Sequence, residues 1–494
     1  MSEETPHSLS AGEARFEFLR KRIGLILSPI ALIVILANRF ENLTPEAHAL
    51  AAIVVCIMVL WMTEALPLAI TGLMAPTLMV ILDVAPAAKA FSPFADPIMF
   101  LFIGAFILAR ALSYHELDRR FAYWVLTRPW VGESPSRILL AYGGVCCFIS
   151  MWISNTATCA MMFPIGLAII TSLKKSNNQS ISDQYASAVM LMCAFAASIG
   201  GLATPVGTPT NLIGLGFIRR ELGVEIPFFQ WMTFSIPIVI VLYLLLFAYL
   251  NWFCPAGISK LSGIREWMFR ERAQFGSLTA GQRNTLIACG VTVILWITPG
   301  ILALALGDHH AATKTFSKLV PESVAALIGT CLLFLLPVDW AKQKFTIPVR
   351  EAFEIDWGVL MLYGGGIALG QMVFETKLGE MLGQSLTGWV PAAGIGLLAV
   401  SALVAIVTSE FTSNVSSANM VVPVIILLAG ANGLPAAIAA TMAASLGFML
   451  PISTPTNAIV YSSGYIPLGR MIRYGILLDV IGWIVIVCGV MLMV

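Results

Sequence analysis

Apolar runs of membrane-crossing length recur along the whole chain, and no soluble fold can bury that many. A helix needs about 20 apolar residues to cross about 30 Å of hydrocarbon. Segments 23–38, 47–64, 66–83, 97–113, 184–216, 227–253, 284–304, 320–337, 357–373, 435–463 and 472–494 are the candidates, which gives about eleven expected transmembrane helices. Across 494 residues, 58% are hydrophobic and 11% charged; soluble domains carry about 45–50% and about 25%. The expected fold class is an all-α polytopic membrane protein whose main partner is the lipid bilayer. A net charge of +1 without a basic patch argues against nucleic acid. The nine cysteines form no CxxC pair, so neither a disulfide framework nor a zinc site is indicated. No nucleotide or other organic cofactor motif is present, so any pumping is secondary.

Two further apolar stretches, 138–173 and 388–430, are too long for one straight helix and too short for two full crossings. Each carries a polar cluster at its centre, Ser154-Asn155-Thr156 in the first and Ser413-Asn414-Val415-Ser416-Ser417 in the second. The half from Ile138 to Ser150 is about 20 Å long at 1.5 Å per residue, which reaches mid-membrane. The economical reading is two re-entrant helical hairpins, over about 134–175 and about 388–430. Irregular backbone at that depth is tolerated only where protein or a cavity surrounds it.

Residues 1–22 form a polar tail ending in Arg20-Lys21-Arg22. The apolar run behind it lacks a small-residue cleavage site, so 23–46 reads as a retained first span and loop, not a signal peptide. With the N-terminus cytoplasmic, 21 of the 28 Lys and Arg residues fall inside, a strong positive-inside bias. The first hairpin then opens to the cytoplasm, the second to the outside, and the C-terminus lies outside.

The halves 47–253 and 284–494, joined by a cytoplasmic linker with an amphipathic helix over 254–283, echo each other. Leu101-Phe102-Ile103-Gly104-Ala105 resembles Leu362-Tyr363-Gly364-Gly365-Gly366, a Ser-Asn tip follows each, and Thr208-Pro209-Thr210-Asn211 recurs as Thr454-Pro455-Thr456-Asn457. Glu64 and Glu322 precede the two glycine segments at similar distances. An odd number of spans separates the equivalents, which makes the repeat inverted. Inverted halves with interrupted helices point to a secondary transporter with a midplane site. Two amphipathic stretches fit the same symmetry: 115–128, with Leu117, Phe121, Trp124 and Val125 on one face, and 376–386, with Leu378, Met381, Leu382 and Leu386. They suit arms lying along the membrane interface.

Ser, Thr and Asn supply neutral oxygens, and unwound helices supply free carbonyls, which suit Na⁺. The same broken helices end in free N–H groups at positive dipole ends, which suit an anion. Ser154-Asn155 beside the break at Ala203–Pro209 can form one cation cage, and Ser413-Asn414 beside Pro451–Pro455 the other. No Lys or Arg lies in the tips or the breaks. A buried dianion needs counter-charge, so co-bound cations become a requirement of binding. Glu410 suits a brace for the second hairpin through backbone N–H groups, and Glu64 a local pair at the end of a span. Cys146, Cys147 and Cys159 suit packing roles, and Gly364-Gly365-Gly366 suits close helix contact. An enzyme would need an activated nucleophile, yet no His or Asp stands near Ser154 or Ser413 in sequence.

Trp152-Ile153-Ser154-Asn155-Thr156-Ala157-Thr158, followed by Met161-Met162-Phe163-Pro164, resembles the signature of the divalent anion/sodium symporter family. Glu410-Phe411-Thr412-Ser413-Asn414-Val415 and Pro451–Val460 resemble that family's second-half motifs. The resemblance implies sodium-coupled symport of a divalent organic anion, with C4 dicarboxylates such as succinate, malate or fumarate as the leading substrates. Citrate, sulfate and sodium-independent dicarboxylate exchange are the alternatives. It also implies a homodimer in a bacterial plasma membrane, with a scaffold domain and an elevator-like transport domain. One Na⁺ would be held by the side chains of Ser154 and Asn155 with the carbonyls of Ser150 and Gly207. The second would be held by Asn414 with carbonyls near Ser409, Thr412 and Ser453. Substrate carboxylates would meet Ser154, Asn155, Thr156, Thr208, Pro209, Ser413, Asn414, Val415, Thr454 and Pro455. The family pattern is usually Ser-Asn-Thr in both tips; Val415 removes one hydroxyl here and leaves open how the second carboxylate is held.

Overall fold

The computed structural model describes residues 11–38, 40, 43–175, 182–307, 309–379, 381, 394–430 and 433–494. The expected tail up to Ser10, most of the arm expected over 376–386, including Leu382 and Leu386, and the start of the second hairpin at 388–393 lie outside the described residues.

The described chain is helical. The first half comprises α1 (Ala11–Ala37), α2 (Pro45–Thr63), α3 (Leu68–Ile81), α4 (Ala87–Phe91), α5 (Pro97–Tyr114), α6 (Leu117–Leu126), α7 (Pro135–Ser150), α8 (Asn155–Lys175), α9 (Asp183–Gly201), α10 (Pro209–Leu222) and α11 (Phe228–Phe253). After α12 (Ile264–Ala273), the second half holds α13 (Ala280–Leu306), α14 (Ala311–Leu319), α15 (Glu322–Leu335), α16 (Val349–Ala352), α17 (Trp357–Glu375), α18 (Gly394–Phe411), α19 (Asn414–Ala429), α20 (Gly433–Ala443), α21 (Pro455–Tyr461) and α22 (Leu468–Met493). A two-stranded antiparallel ribbon, Pro337–Asp339 with Lys344–Phe345, joins α15 to α16. Local signals start the helices: Asp96 accepts from the Ile98 N–H at the head of α5, and Thr279 and Gln282 form a capping box on α13.

Among the described residues, eight helices are long and apolar enough to cross a membrane. Seven fall on expected spans; the eighth, Gly394–Phe411, is the first arm of the second expected hairpin. Four expected spans have no single long apolar helix. The run at 66–83 is the 14-residue α3, and 320–337 is the 14-residue α15, bent 56° from α14. The run at 435–463 is split between α20 and α21, and 23–38 is the tail of a helix that begins with charged turns. The expected span at 184–216 is likewise interrupted, because α9 stops at Gly201 and α10 starts at Pro209.

Lipid gives no hydrophobic drive for one apolar helix to leave it for another, so close packing of small residues decides the contacts. At the α3–α17 crossing, a Cβ on Gly365 would stand 2.1 Å from the Gly72 carbonyl, and one on Gly72 2.4 Å from the Met361 carbonyl. The glycine triplet is therefore helix contact, as its position inside a span suggests. The buried cysteines pack as small side chains, with Cys159 and Cys193 sulfurs 3.7 Å apart. Polar links are sparse. Arg219 at the end of α10 reaches both Asp96 oxygens at 2.6 Å, and the Tyr363 hydroxyl meets the same carboxylate at 3.3 Å.

One expectation changes. Glu64 pairs not with a sequence neighbour but with Arg20 of α1 at 2.8 Å, because the first helix lies against α2. The amphipathic stretch forms the helix α6, which buries Leu117, Asp118, Ala122, Tyr123 and Leu126. Phe121 and Trp124 stack on each other at 6.0 Å, and Trp124 is exposed. The arm meets protein on one face and an apolar recess on the other, so both faces are apolar in part.

Candidate functional site

Each Ser-Asn tip starts a helix. Ser154 caps α8, its hydroxyl accepting from the Ala157 N–H at 3.3 Å, and Ser413 caps α19, accepting from the Ser416 N–H at 3.2 Å. Each of these helices carries a proline nine residues past its tip asparagine, Pro164 and Pro423. The two Thr-Pro sequences start helices as well, because Pro is well suited to the first helical position. Thr208 precedes Pro209 at the head of α10, and Thr454 precedes Pro455 at the head of α21.

The four helix starts share one cavity of about 850 Å³. Its wall includes Ser154, Asn155, Thr156, Thr208, Pro209, Ser413, Asn414, Val415, Thr454 and Pro455, together with Ser198, Ser453 and Thr456. Free N–H groups and aligned peptide dipoles at helix starts favour an anion. Hydroxyls and amides add hydrogen-bond donors without adding net charge.

Behind each tip lies a second layer of oxygens. Ser150 donates to the Asn155 amide oxygen at 2.8 Å, and Ser409 donates to that of Asn414 at 2.7 Å, a spacing of five residues in both. The Asn155 oxygen is turned toward Gly201, where a Cβ would stand 2.3 Å from it. A Cβ on Gly207 would stand 2.6 Å from the Gly201 carbonyl and 3.0 Å from that of Ser150. In the second half, a Cβ on Gly447 would meet the Asn414 amide oxygen at 3.3 Å and the Ser409 carbonyl at 3.3 Å. Neutral oxygens thus converge at both breaks, as a hard monovalent cation requires. Ser150, Ser409 and Thr412 are buried, off the cavity wall. The Thr412 hydroxyl turns back onto the Thr408 carbonyl at 2.9 Å, and the Ser453 hydroxyl is taken by Glu410 at 2.7 Å. Those two side chains are committed elsewhere, which leaves their carbonyls.

The breaks are pinned by asparagines that sequence reasoning did not assign. Asn211 donates to the carbonyls of Gly201 and Thr204 at 2.9 and 2.8 Å, and Asn457 to those of Gly447 and Leu450 at 2.9 and 3.0 Å. The offsets, ten and seven residues back, are the same in both halves. The amide oxygens of Asn211 and Asn457 are buried without a hydrogen-bond partner. The repeated Thr-Pro-Thr-Asn was the signal available for them. From α11, Ser235 and Trp231 hold the Ala203 and Leu202 carbonyls at 2.8 and 3.0 Å.

Glu410, at the end of α18, reaches the second break: its carboxylate accepts from the Met449 N–H at 2.8 Å and from the Ser453 hydroxyl at 2.7 Å. Charged groups reach the cavity from elements distant in sequence. Arg110 and Arg119 line it, yet Arg110 is paired with Glu351 and Glu354 at 2.5 and 2.7 Å, and Arg119 with Glu116 at 2.8 Å. Asp118 and Asp356 also line it, so the fold brings acids near the tips that sequence proximity did not. Burial pushes the Asp118 carboxyl up from its ordinary range. A second cavity of about 1070 Å³ reaches Ser413, Ser453 and Thr454 from the α1 side, past Arg20, Lys21 and Glu64.

The model of the sodium:sulfate symporter transmembrane region matches residues 21–493. The chain belongs to the sodium:sulfate symporter family. Family membership makes it a transporter, not an enzyme. Among its relatives, the sodium-dependent dicarboxylate transporter SdcS of Staphylococcus saprophyticus is 33% identical over 476 residues, which is 94% of this chain and 90% of the relative. SdcS of Staphylococcus aureus strain USA300 is 32% identical over 475 residues, 94% of this chain and 89% of the relative. The YdaH transporter of Alcanivorax borkumensis aligns over 96% of this chain and 97% of its own at a TM-score of 0.55 and 14% identity. Neisseria gonorrhoeae MtrF aligns over 92% and 95% at a TM-score of 0.55 and 12% identity. At those identities the two structures speak for the fold alone.

Proposed function

We propose that this chain is a sodium-coupled symporter of divalent organic anions, with C4 dicarboxylates such as succinate, malate and fumarate as its substrates. One observation carries the reading: both Ser-Asn tips and both Thr-Pro helix starts wall a single cavity, and a layer of neutral oxygens lies directly behind each tip. The dicarboxylate names of the 32–33% identical relatives support the substrate class.

A dianion leaving water loses solvation worth many kcal/mol, and an uncompensated buried charge is not tolerated. The cavity's own arginines are engaged with carboxylates. Helix starts and two sodium ions are left to balance it, so substrate and sodium bind as one neutralised set. The first ion takes Ser150, Ser154, Asn155 and Gly207, the second Ser409, Thr412, Asn414 and Ser453. Ser154, Asn155, Thr156 and Thr208 meet one carboxylate, and Ser413, Asn414 and Thr454 the other.

The halves 47–253 and 284–494 form an inverted repeat with two re-entrant hairpins. The shared spacing of the tip and break hydrogen bonds supports this, as does the length of α7, whose 16 residues span about 24 Å. With the N-terminus cytoplasmic, the cavity wall that carries Arg110, Arg119 and Glu354 faces the cytoplasm. Transport proceeds in a homodimer of the plasma membrane by an elevator-like slide of the hairpin-bearing domain.

Reconstituted in proteoliposomes, the chain takes up labelled succinate when an inward sodium gradient is imposed. Unlabelled malate and fumarate compete, while citrate and sulfate compete weakly. Uptake that ignores sodium and requires internal dicarboxylate would replace symport with exchange, and dominant competition by sulfate would overturn the substrate class.

A further inference from the structure

An apolar recess of about 690 Å³ is walled by α6 and the first hairpin together with α5 and α13. Its lining includes Trp124 of α6, Phe148 and Trp152 near the first tip, and Leu286, Val293 and Trp296 of α13. Trp152 and Ile153 run directly into Ser154, so the recess adjoins the tip. The polar groups along it are engaged or lie at its border. Arg120 donates to the carbonyls of Phe275, Gly276 and Ser277 at 3.2, 2.7 and 3.3 Å. Thr292 donates to the Ala288 carbonyl at 2.9 Å, and Asp118 lines both the recess and the substrate cavity.

Neighbouring side chains do not fill this space. Gly290 of α13 lines it, and a Cβ there would have nothing within 4 Å. Apolar walls without partner atoms forfeit dispersion contact, and an apolar cavity of about 150 Å³ already stays dry and takes up benzene. The larger recess has room for an alkyl chain. Trp124, Phe148 and Leu286 are exposed as well as lining it, so it is open to the bilayer.

A cation stands beside it. The Arg128 guanidinium lies over the Trp124 ring, 3.6 Å from the centroid. The neighbouring Thr127 hydroxyl accepts from Arg272 at 3.0 Å. Among the described residues neither arginine makes an ion pair. Stacking occupies the face of a guanidinium and leaves its edge of N–H donors for a bidentate acceptor such as phosphate. Tryptophan suits the headgroup level of a membrane, and here one tryptophan serves both the arginine and the recess. Two arginines without acidic partners favour a headgroup of net negative charge over a zwitterionic one.

We infer that the recess is an acyl-chain site for an anionic phospholipid whose phosphate is held by the edge of Arg128. The inference does not depend on the symport reading. The lipid chain would prop the first hairpin against α13, so that lipid supports the Ser154-Asn155 tip where protein does not.

The test is equilibrium binding of radiolabelled phosphatidylglycerol and phosphatidylcholine to the full chain purified in detergent. The wild type retains phosphatidylglycerol in preference to phosphatidylcholine. Arg128→Gln removes the fork and Gly290→Phe fills the recess from α13; each weakens phosphatidylglycerol binding by about tenfold or more. Arg265→Gln is the control, since Arg265 also lies over an aromatic ring, Phe269, at 5.6 Å, but beside a cavity walled by charged residues; its affinity stays at the wild-type value. Equal retention of phosphatidylcholine, or an equal loss in Arg265→Gln, overturns the inference. A loss in Arg128→Gln with none in Gly290→Phe also overturns it, because the headgroup then binds without a chain in the recess. So does a wild type that binds no phosphatidylglycerol because a second copy of the chain covers the recess. Should Gly290→Phe fail to fold, Gly290→Leu at the same open position takes its place.

Discussion

The two tip-and-break regions share a frame and differ in how it is tied down. In both, a serine five residues back holds the tip asparagine, and an asparagine ten residues on pins a glycine carbonyl. The first break, Leu202–Thr208, is short and held by neutral groups, with the Thr204 hydroxyl on the Met151 carbonyl at 2.5 Å and Trp231 and Ser235 behind it. The second, Ala444–Thr454, is longer and held by the Glu410 carboxylate. The first packs its glycine hard against the tip, at 2.3 Å for an added Cβ, and the second leaves 3.3 Å. The same oxygens can thus be held rigidly by sterics or more loosely by charge.

Removing a tip asparagine tests the shared frame and has the largest expected effect. Asn155→Ala or Asn414→Ala takes an oxygen from a proposed cage; the first also strands the Ser150 hydroxyl, worth about 1–3 kcal/mol, while Ser409 keeps the Ala444 carbonyl. Uptake at a fixed sodium gradient falls by about tenfold or more in each, while the protein still elutes as a folded species. If one variant transports normally, the two regions are not equivalent.

A smaller effect separates them. Gly201→Ala forces a methyl against the Asn155 amide oxygen, and overpacking of this kind costs about 1–3 kcal/mol. Gly447→Ala meets its neighbours at 3.2 Å or more and needs only a slight shift. Succinate uptake therefore drops strongly in Gly201→Ala and modestly in Gly447→Ala; the reverse order would contradict the steric contrast.

The smallest effect concerns α6, the arm beside the first tip. Burial raises the Asp118 carboxyl, so holding it ionised costs stability above the ordinary carboxylate range, and the cost vanishes as pH falls and it protonates. Asp118→Asn accordingly raises the melting temperature in detergent at pH 8 more than at pH 5. An equal gain at both values would remove charge as the cause.

The tips and breaks were legible because they are polar words in apolar text: Ser-Asn twice, Thr-Pro-Thr-Asn twice. Their convergence on one cavity agrees with the reading of an interrupted helix as a way to present its ends. Other features resisted for physical reasons. Gly201 and Gly447 look like any glycine in a membrane helix, and only backbone approach singles them out. The Arg110 pairs with Glu351 and Glu354 join distant segments, so spacing is silent about them. The face of α6 that meets protein, with Ala122 and Tyr123, carries no apolar pattern of its own, while Leu117, Phe121 and Trp124 share the apolar recess. Three expected spans, 66–83, 320–337 and 435–463, were not single long helices because apolar length alone does not reveal where a helix starts or breaks, and the fourth, 23–38, lies in a long helix whose first turns are charged.

The hydroxyls of Thr210 and Ser445 meet at 2.5 Å, one just inside α10 and the other in the opposite break. That clasp ties the start of α10 to the break that follows α20. Under the proposed symport, a shift of either segment would pull on the other, so an ion bound at one break would be felt at the opposite one.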